Sequence, residues 1–381
     1  MKTSVQTKKH RAWLVLCIGF FSSTVTQAQS LFQSGNLNPV ANQETAPGMI
    51  FIEGQSFYFS SGNENAKRTL APFYISACEE SNGQYMAYLN FLKRFYSKAT
   101  YQFALPDTMV WCRENLNDAL KAYLTKNYLR SECFRDYPVV GLTKHQIKRY
   151  AMWKSDRLNE MILVREGVLD NKPMDSSDVF TTQAYLEGSW RGLLKKLPGY
   201  HSTEPEREIR LEEGLFSPNY RLPTNDEWYW ACYAMCNFRN SGIKTPKEIH
   251  DKKMDKSHAY DFLVVKQHKH KNCPAQVLSP FTPFILKEAY NTKANAFKLK
   301  GMDENVSELT LDSTQNAVVM GTSWKDLLEN RDNDSTKVQS GKALNVSASP
   351  IPIKPSAALG FRLAMDYTGP LSYPVKRKRL R

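Results

Sequence analysis

The stretch that most constrains this chain is Tyr220–Cys236, YRLPTNDEWYWACYAMC. Pro223 fixes its own φ and donates no backbone N–H, so it ends whatever precedes it. Thr224 stands three residues before Glu227, the spacing of a capping box, in which each side chain satisfies a backbone donor in the first turn of a helix. Beyond it, Trp228, Ala231, Cys232, Met235 and Cys236 fall on one face of an α-helix. A short strand, a proline stop and a capped helix carrying a Trp–Cys–Met stripe are predicted here.

The same device recurs twice. Ser81 and Gln84 form a second capping box, leading into Tyr85, Tyr88, Leu89 and Leu92 at helical spacing. Thr143 and Gln146 form a third, leading into Ile147, Tyr150, Ala151, Leu158 and Met161 or Ile162. Phe73–Ile75 is strand-like, and Met49–Phe59 reads as two short strands about a turn at Gly54. Capped helices that follow short strands predict an α+β fold.

The amino terminus stands apart. Lys8, Lys9, His10 and Arg11 precede an apolar run, Ala12–Phe21, and Thr26-Gln27-Ala28 offers a small residue for cleavage. Residues 1–28 read as a secretory signal peptide. Cys17 is a candidate for lipidation, which would anchor the protein to a membrane leaflet. The large Leu16 before it, where a small residue is usual, argues for cleavage after Ala28 instead. No other apolar run is long enough to span a bilayer. Residues 29–46 are polar and read as a linker.

The net charge of +13 is concentrated at the ends. Lys2, Lys8, Lys9 and Arg11 lie in the leader, and Lys376, Arg377, Lys378, Arg379 and Arg381 in a basic tail over 367–381. Without them the body carries only +4, which argues against nucleic acid as a partner. Apart from Cys17 there are six cysteines: Cys78, Cys112, Cys133, Cys232, Cys236 and Cys273. In an exported chain disulfides are permitted, but spacing does not pair them. Cys232 and Cys236 read as core packing. A metal pair completed by His268, His270 and Cys273 is the alternative, although its spacing matches no standard zinc module.

Seven ordered blocks carry a resemblance. Tyr220-Arg221-Leu222-Pro223-Thr224-x-x-Glu227-Trp228 resembles the central motif of the sulfatase-modifying-factor family, the formylglycine-generating enzymes and their non-catalytic relatives. Met49–Phe59 resembles its opening hairpin, Phe73–Tyr85 its F-Y-I-x-x-x-E-V-T-N-x-x-Y segment, and Pro138–Ala151 its H-P-V-V-G helix. Asn295–Leu309 is similar to the family's P-N-x-F-G-L-x-D-M-x-G-N-V-x-E-W, Val318–Trp324 to its R-G-G-S-W strand, and Leu359–Leu363 to its closing G-F-R-L. The resemblance implies one domain over 47–366 with an insert at about 163–219. It also implies a C-type-lectin-related fold of short strands, few helices and long loops. Phrases within the insert resemble the gliding-motility, or type IX secretion, lipoprotein branch.

The catalytic relatives are copper oxidases that use two cysteines shortly after the G-G-S-W strand, since Cu(I) needs soft thiolates. Here Trp324 is followed by Lys325-Asp326-Leu327-Leu328-Glu329-Asn330-Arg331, and no cysteine occurs after Cys273. No catalytic residue is assigned, and a non-enzymatic role is expected. Phosphate-binding glycine loops, G-x-S-x-G and H-E-x-x-H are absent from the sequence.

The resemblance also implies a calcium loop. Glu308 would give a carboxylate ligand, Glu304 and Val306 backbone carbonyls, while Gly301 stands where a side-chain oxygen is expected, a gap that Glu304 or Asp303 would have to fill. The alternative is that Glu308 pairs with a nearby arginine. By resemblance the protein is a structural subunit of a bacterial envelope machine. It would be periplasmic and associated with the outer membrane, and would act through contacts with other envelope proteins in an oligomeric assembly. An enzyme of the formylglycine-generating type, and a glycan- or peptide-binding module, are the alternatives.

Overall fold

The computed structural model describes residues 46–61, 64–165, 168–169, 179–190, 192, 216–233, 286–302, 304–326 and 353–368. The leader, Cys17, the linker up to residue 45, the basic tail from 369, Met235, Cys236 and the 244–273 region with its histidines lie outside these residues.

Nine strands are described: β1 (Met49–Ile52), β2 (Ser56–Ser61), β3 (Glu64–Thr69), β4 (Phe73–Ser76), β5 (Tyr220–Arg221), β6 (Ser307–Leu311), β7 (Ala317–Met320), β8 (Leu359–Gly360) and β9 (Ala364–Asp366). The helices are α1 (Asn82–Phe95), α2 (Lys98–Ala104), α3 (Asp118–Asn127), α4 (Lys144–Arg165), α5 (Thr182–Leu186) and α6 (Asn225–Tyr233). The strands form a four-stranded sheet in the order β1-β4-β9-β5, a β2-β3 pair, and a three-stranded sheet β7-β6-β8.

All three capping boxes form. Ser81 Oγ accepts from Gln84 N, and Gln84 returns a side-chain oxygen to Ser81 N. Thr143 and Gln146 do the same for α4, and Thr224 and Glu227 for α6. The apolar stripes beyond them are buried: Tyr85, Tyr88, Leu89 and Leu92 on α1, Ile147, Tyr150, Ala151, Leu158 and Met161 on α4, and Trp228, Ala231 and Cys232 on α6.

The four-stranded sheet is covered on both faces, and strand alternation decides which residue goes where. Met49, Tyr74, Tyr220 and Met365 pack with Tyr85, Tyr88, Tyr150 and Trp153 of α1 and α4. Ile50, Ile52, Phe73 and Ile75 point the other way, into Trp228, Trp230 and Ala231 of α6 with Phe297, Leu299 and Met302. The central motif therefore contributes to both sides of the core, Tyr220 and Leu222 to one and the α6 stripe to the other.

One expectation needs correction. β1 and β2 exist, but they do not pair as a hairpin about Gly54. β1 pairs antiparallel with β4, and β2 with β3, a polar strand that the sequence reading missed. Gly54 marks a crossing instead: a Cβ there would lie 2.6 Å from both Leu70 O and Pro72 N, so only glycine lets the chain pass. Within the insert, Leu163, Val168, Leu169, Phe180, Tyr185 and Phe216 build a separate small core.

Candidate functional site

Several charged residues are buried inside this fold. At the end of β4 the chain runs Cys78-Glu79-Glu80, and all three side chains are buried. Backbone bonds hold this turn between distant segments: Glu80 N donates to Phe361 O at 3.0 Å and Val139 N to Glu80 O at 2.9 Å. Each glutamate then faces its own cation or donor.

Glu80 takes Lys154 Nζ at 2.7 and 2.8 Å and Tyr150 Oη at 2.6 Å. Lys154 sits in the apolar stripe of α4, 2% exposed. A lysine is found at such a place only with a counter-charge. Its ammonium also lies 5.1 Å from the Tyr220 ring centroid.

Glu308, on the central strand β6, accepts from Arg362 Nε at 2.7 Å and Nη2 at 2.6 Å. The Trp228 indole N–H donates to the same carboxylate at 2.7 Å. Arg362 spends its remaining donors on Ser76 O and Lys300 O. Both members of the pair are essentially excluded from solvent. The carboxylate thus joins β6, the central helix and the segment between β8 and β9.

Glu79 is the third acid. Asn305 Nδ2 donates to its Oε1 at 3.0 Å, while Oε2 has no hydrogen-bond partner among the described residues. Burial pushes this carboxyl up to about 8; Glu308 adds to the rise, and Arg362 and Asn305 oppose it. At neutral pH it is therefore held protonated, and the network needs no third cation. Gly301 makes room for it: its φ is +66°, and a Cβ there would sit 2.4 Å from Glu79 Oε1. Asn305, itself at φ 79°, also accepts from Lys287 N and holds Trp324 N with its carbonyl. Cys78 beside it is a buried thiol pushed up to about 12 by desolvation, and is no nucleophile at physiological pH.

Of the predicted calcium-loop residues, Gly301, Glu304, Val306 and Glu308 are described, and Asp303 lies outside the described residues. Glu308 is engaged as above, which is the arginine pairing weighed in the sequence. Glu304 accepts from Lys287 Nζ at 2.7 Å and Lys293 N at 2.6 Å. Val306 is buried, packed with Trp324 and Val140. Among the described residues no group of three or more His, Cys, Asp or Glu side chains is placed to hold a metal. A calcium ion at this loop would have to displace Arg362 and Trp228 from Glu308, and Lys287 from Glu304 if that carboxylate made up the missing ligand, so Glu308 as placed does not fit a calcium cage. Cys232 lies against Met302 O at 3.9 Å, as core packing requires, while Cys236, His268, His270 and Cys273 lie outside the described residues.

Chemically, the cluster is a set of internal ties. Glu79, Glu308 and Arg362 present almost no surface to a substrate. Sequence reasoning missed Arg362 and Lys154. Their signal was available: Arg362 stands inside an apolar run and Lys154 on the apolar stripe of α4 between Tyr150 and Leu158, places that demand an acid from elsewhere in the chain.

Short strands in small sheets and few helices, with a charge network buried between them, define a mixed α+β domain. The chain belongs to the family of the sulfatase-modifying factor enzyme 1-like domain, whose model matches residues 34–367. Among solved structures it is similar to PvdO from Pseudomonas aeruginosa, at 15% identity and a TM-score of 0.41, over 84% of this chain and 95% of that one. It is also similar to CarF, at 17% identity and a TM-score of 0.37, over 84% and 98%. Treponema denticola variable protein 1 matches at 13% identity and a TM-score of 0.36, over 83% and 94%. No curated protein matches the chain.

Proposed function

We propose that this protein is a non-catalytic member of its family, a structural subunit of a bacterial envelope machine of the gliding-motility or type IX secretion kind. The observation that carries the reading is chemical. After β7, where the catalytic relatives place a thiolate pair, this chain has Lys325 and Asp326 and no later cysteine. Carboxylate and ammonium groups do not substitute for soft sulfur at Cu(I). Glu308, Glu80 and Glu79 in the core are engaged by Arg362, Lys154 and Asn305, which favours a rigid body over a reactive cleft.

Affinity purification of the tagged protein from envelope fractions tests the role. Stoichiometric recovery of the same envelope proteins in repeated preparations is expected; recovery of the protein alone would defeat the reading. Copper titration with oxygen uptake on a cysteine-containing peptide addresses the enzymatic alternative. No turnover is expected, and sustained turnover would reassign the protein as an oxidase.

A further inference from the structure

Acidic residues are missing from two long stretches of this chain: none occurs from Ser81 to Pro106, nor from Tyr137 to Ser155. These stretches fold into α1, α2 and the first half of α4, which lie against one another. Gln146 Nε2 donates to Phe103 O and Leu105 O, both at 2.9 Å. The Phe103 ring, 51% exposed, stands edge-on to His145 at 5.5 Å and lies 5.2 Å from the Arg149 guanidinium. One turn along α4, Met152 is 61% exposed. The Phe91 ring of α1 lies 5.7 Å from Trp153 of α4 and 6.1 Å from the exposed Tyr96, which brings the end of α1 alongside.

Cations fill the spaces between these apolar tips. Lys148 and Arg149 are exposed on α4, and Lys93, Arg94 and Lys98 stand on either side of Tyr96 at the α1–α2 turn. Arg94 lies over Phe95, 4.9 Å from its centroid. No ion pair engages these five residues among the described residues. Asp156 stands one turn past Met152 on α4 with its carboxylate accepting from Thr182 N at 2.8 Å, and Asp107, two residues past Leu105, is paired with Arg113. Basic residues in the first turns of α4 also oppose the helix dipole, so they do not serve the helix.

We propose that this face docks on an anionic lipid surface. Met152, Phe103 and Tyr96 enter the headgroup layer, and Lys148, Arg149 and the Lys93–Arg94–Lys98 group meet lipid phosphates. The centre of a protein interface is depleted of charge. Here single-sign cations are interleaved with isolated apolar tips throughout, the composition of an interfacial membrane surface. The inference does not depend on the scaffold reading.

Co-sedimentation of the full chain with vesicles tests it. Binding is expected to vesicles of phosphatidylethanolamine and phosphatidylglycerol and not to neutral phosphatidylcholine. Lys148→Glu with Arg149→Glu should weaken partitioning by about tenfold or more. Met152→Asp should weaken it as well, while Arg377→Glu with Lys378→Glu in the tail leaves most of it. Lys148, Arg149 and Met152 are exposed, so thermal melts of their variants should stay unchanged; if the α4 variant melts early, Lys93→Glu with Lys98→Glu reads the same face from another turn. Equal binding to both vesicle types, absence of binding, or wild-type binding by the face variants would overturn the proposal.

Discussion

Glu308 and Arg362 show how much one residue pair decides. Two opposite charges have been taken out of water, and each is matched by hydrogen bonds from a different part of the chain. Removing one partner leaves the other as an uncompensated buried charge, which costs about 3–5 kcal/mol. Arg362→Met is therefore expected to lower the unfolding free energy by about that amount, read from urea denaturation. Glu79 gives a pH signature. Its folded pKa of about 8 lies above the ordinary carboxyl value of 4.5, so the folded state holds a proton that the unfolded state releases. Stability from this group is fully present below about pH 4.5, falls as pH rises toward 8, and then levels off. Glu79→Gln should flatten that part of the stability–pH curve, as followed by denaturation at a series of pH values. An unchanged slope would show that Glu79 is ionised in the fold.

At the scale of elements, the helices were more legible than the strands. A capping box is a local event between residues three apart, and all three boxes formed where Ser81, Thr143 and Thr224 announced them. Thr224→Ala removes one capping acceptor from α6 and should cost about 1 kcal/mol in a thermal or urea melt. Glu227→Ala should cost more, because that carboxylate also accepts from Arg221 at 2.8 and 2.7 Å. Strand pairing was hidden, because partners lie far apart in sequence. Nothing near Phe73–Ser76 says that Ala364–Asp366 will pair with it, and the Gly54 turn suggested a hairpin that the Leu70–Pro72 crossing replaces. The polar β3, ENAKRT, has no apolar alternation to betray it. The candidate loop at Glu304, Val306 and Glu308 was picked out by its motif. The cations that face the two glutamates were not, because Arg362 and Lys287 come from other segments.

For the whole molecule, the distribution of charge sets the response to ions. The two glutamates of the loop are already paired inside the protein, so millimolar calcium or a chelator is expected to shift the melting temperature by less than about 1 °C. A rise of several degrees with calcium, measured by differential scanning fluorimetry, would show that the metal displaces Arg362. The sheet order carries a different consequence. β9, one of its two inner strands, is drawn from residues 364–366, while its neighbours β4 and β5 were made roughly 290 and 145 residues earlier. A ribosome or a translocation channel delivers the chain in order, so the gap between β4 and β5 waits for the last segment to emerge. Until then Ile75 and Tyr220 have no strand between them. The domain closes only at the end of its own delivery, like a door whose latch is fitted last, and a chain cut short before β9 is left without that latch.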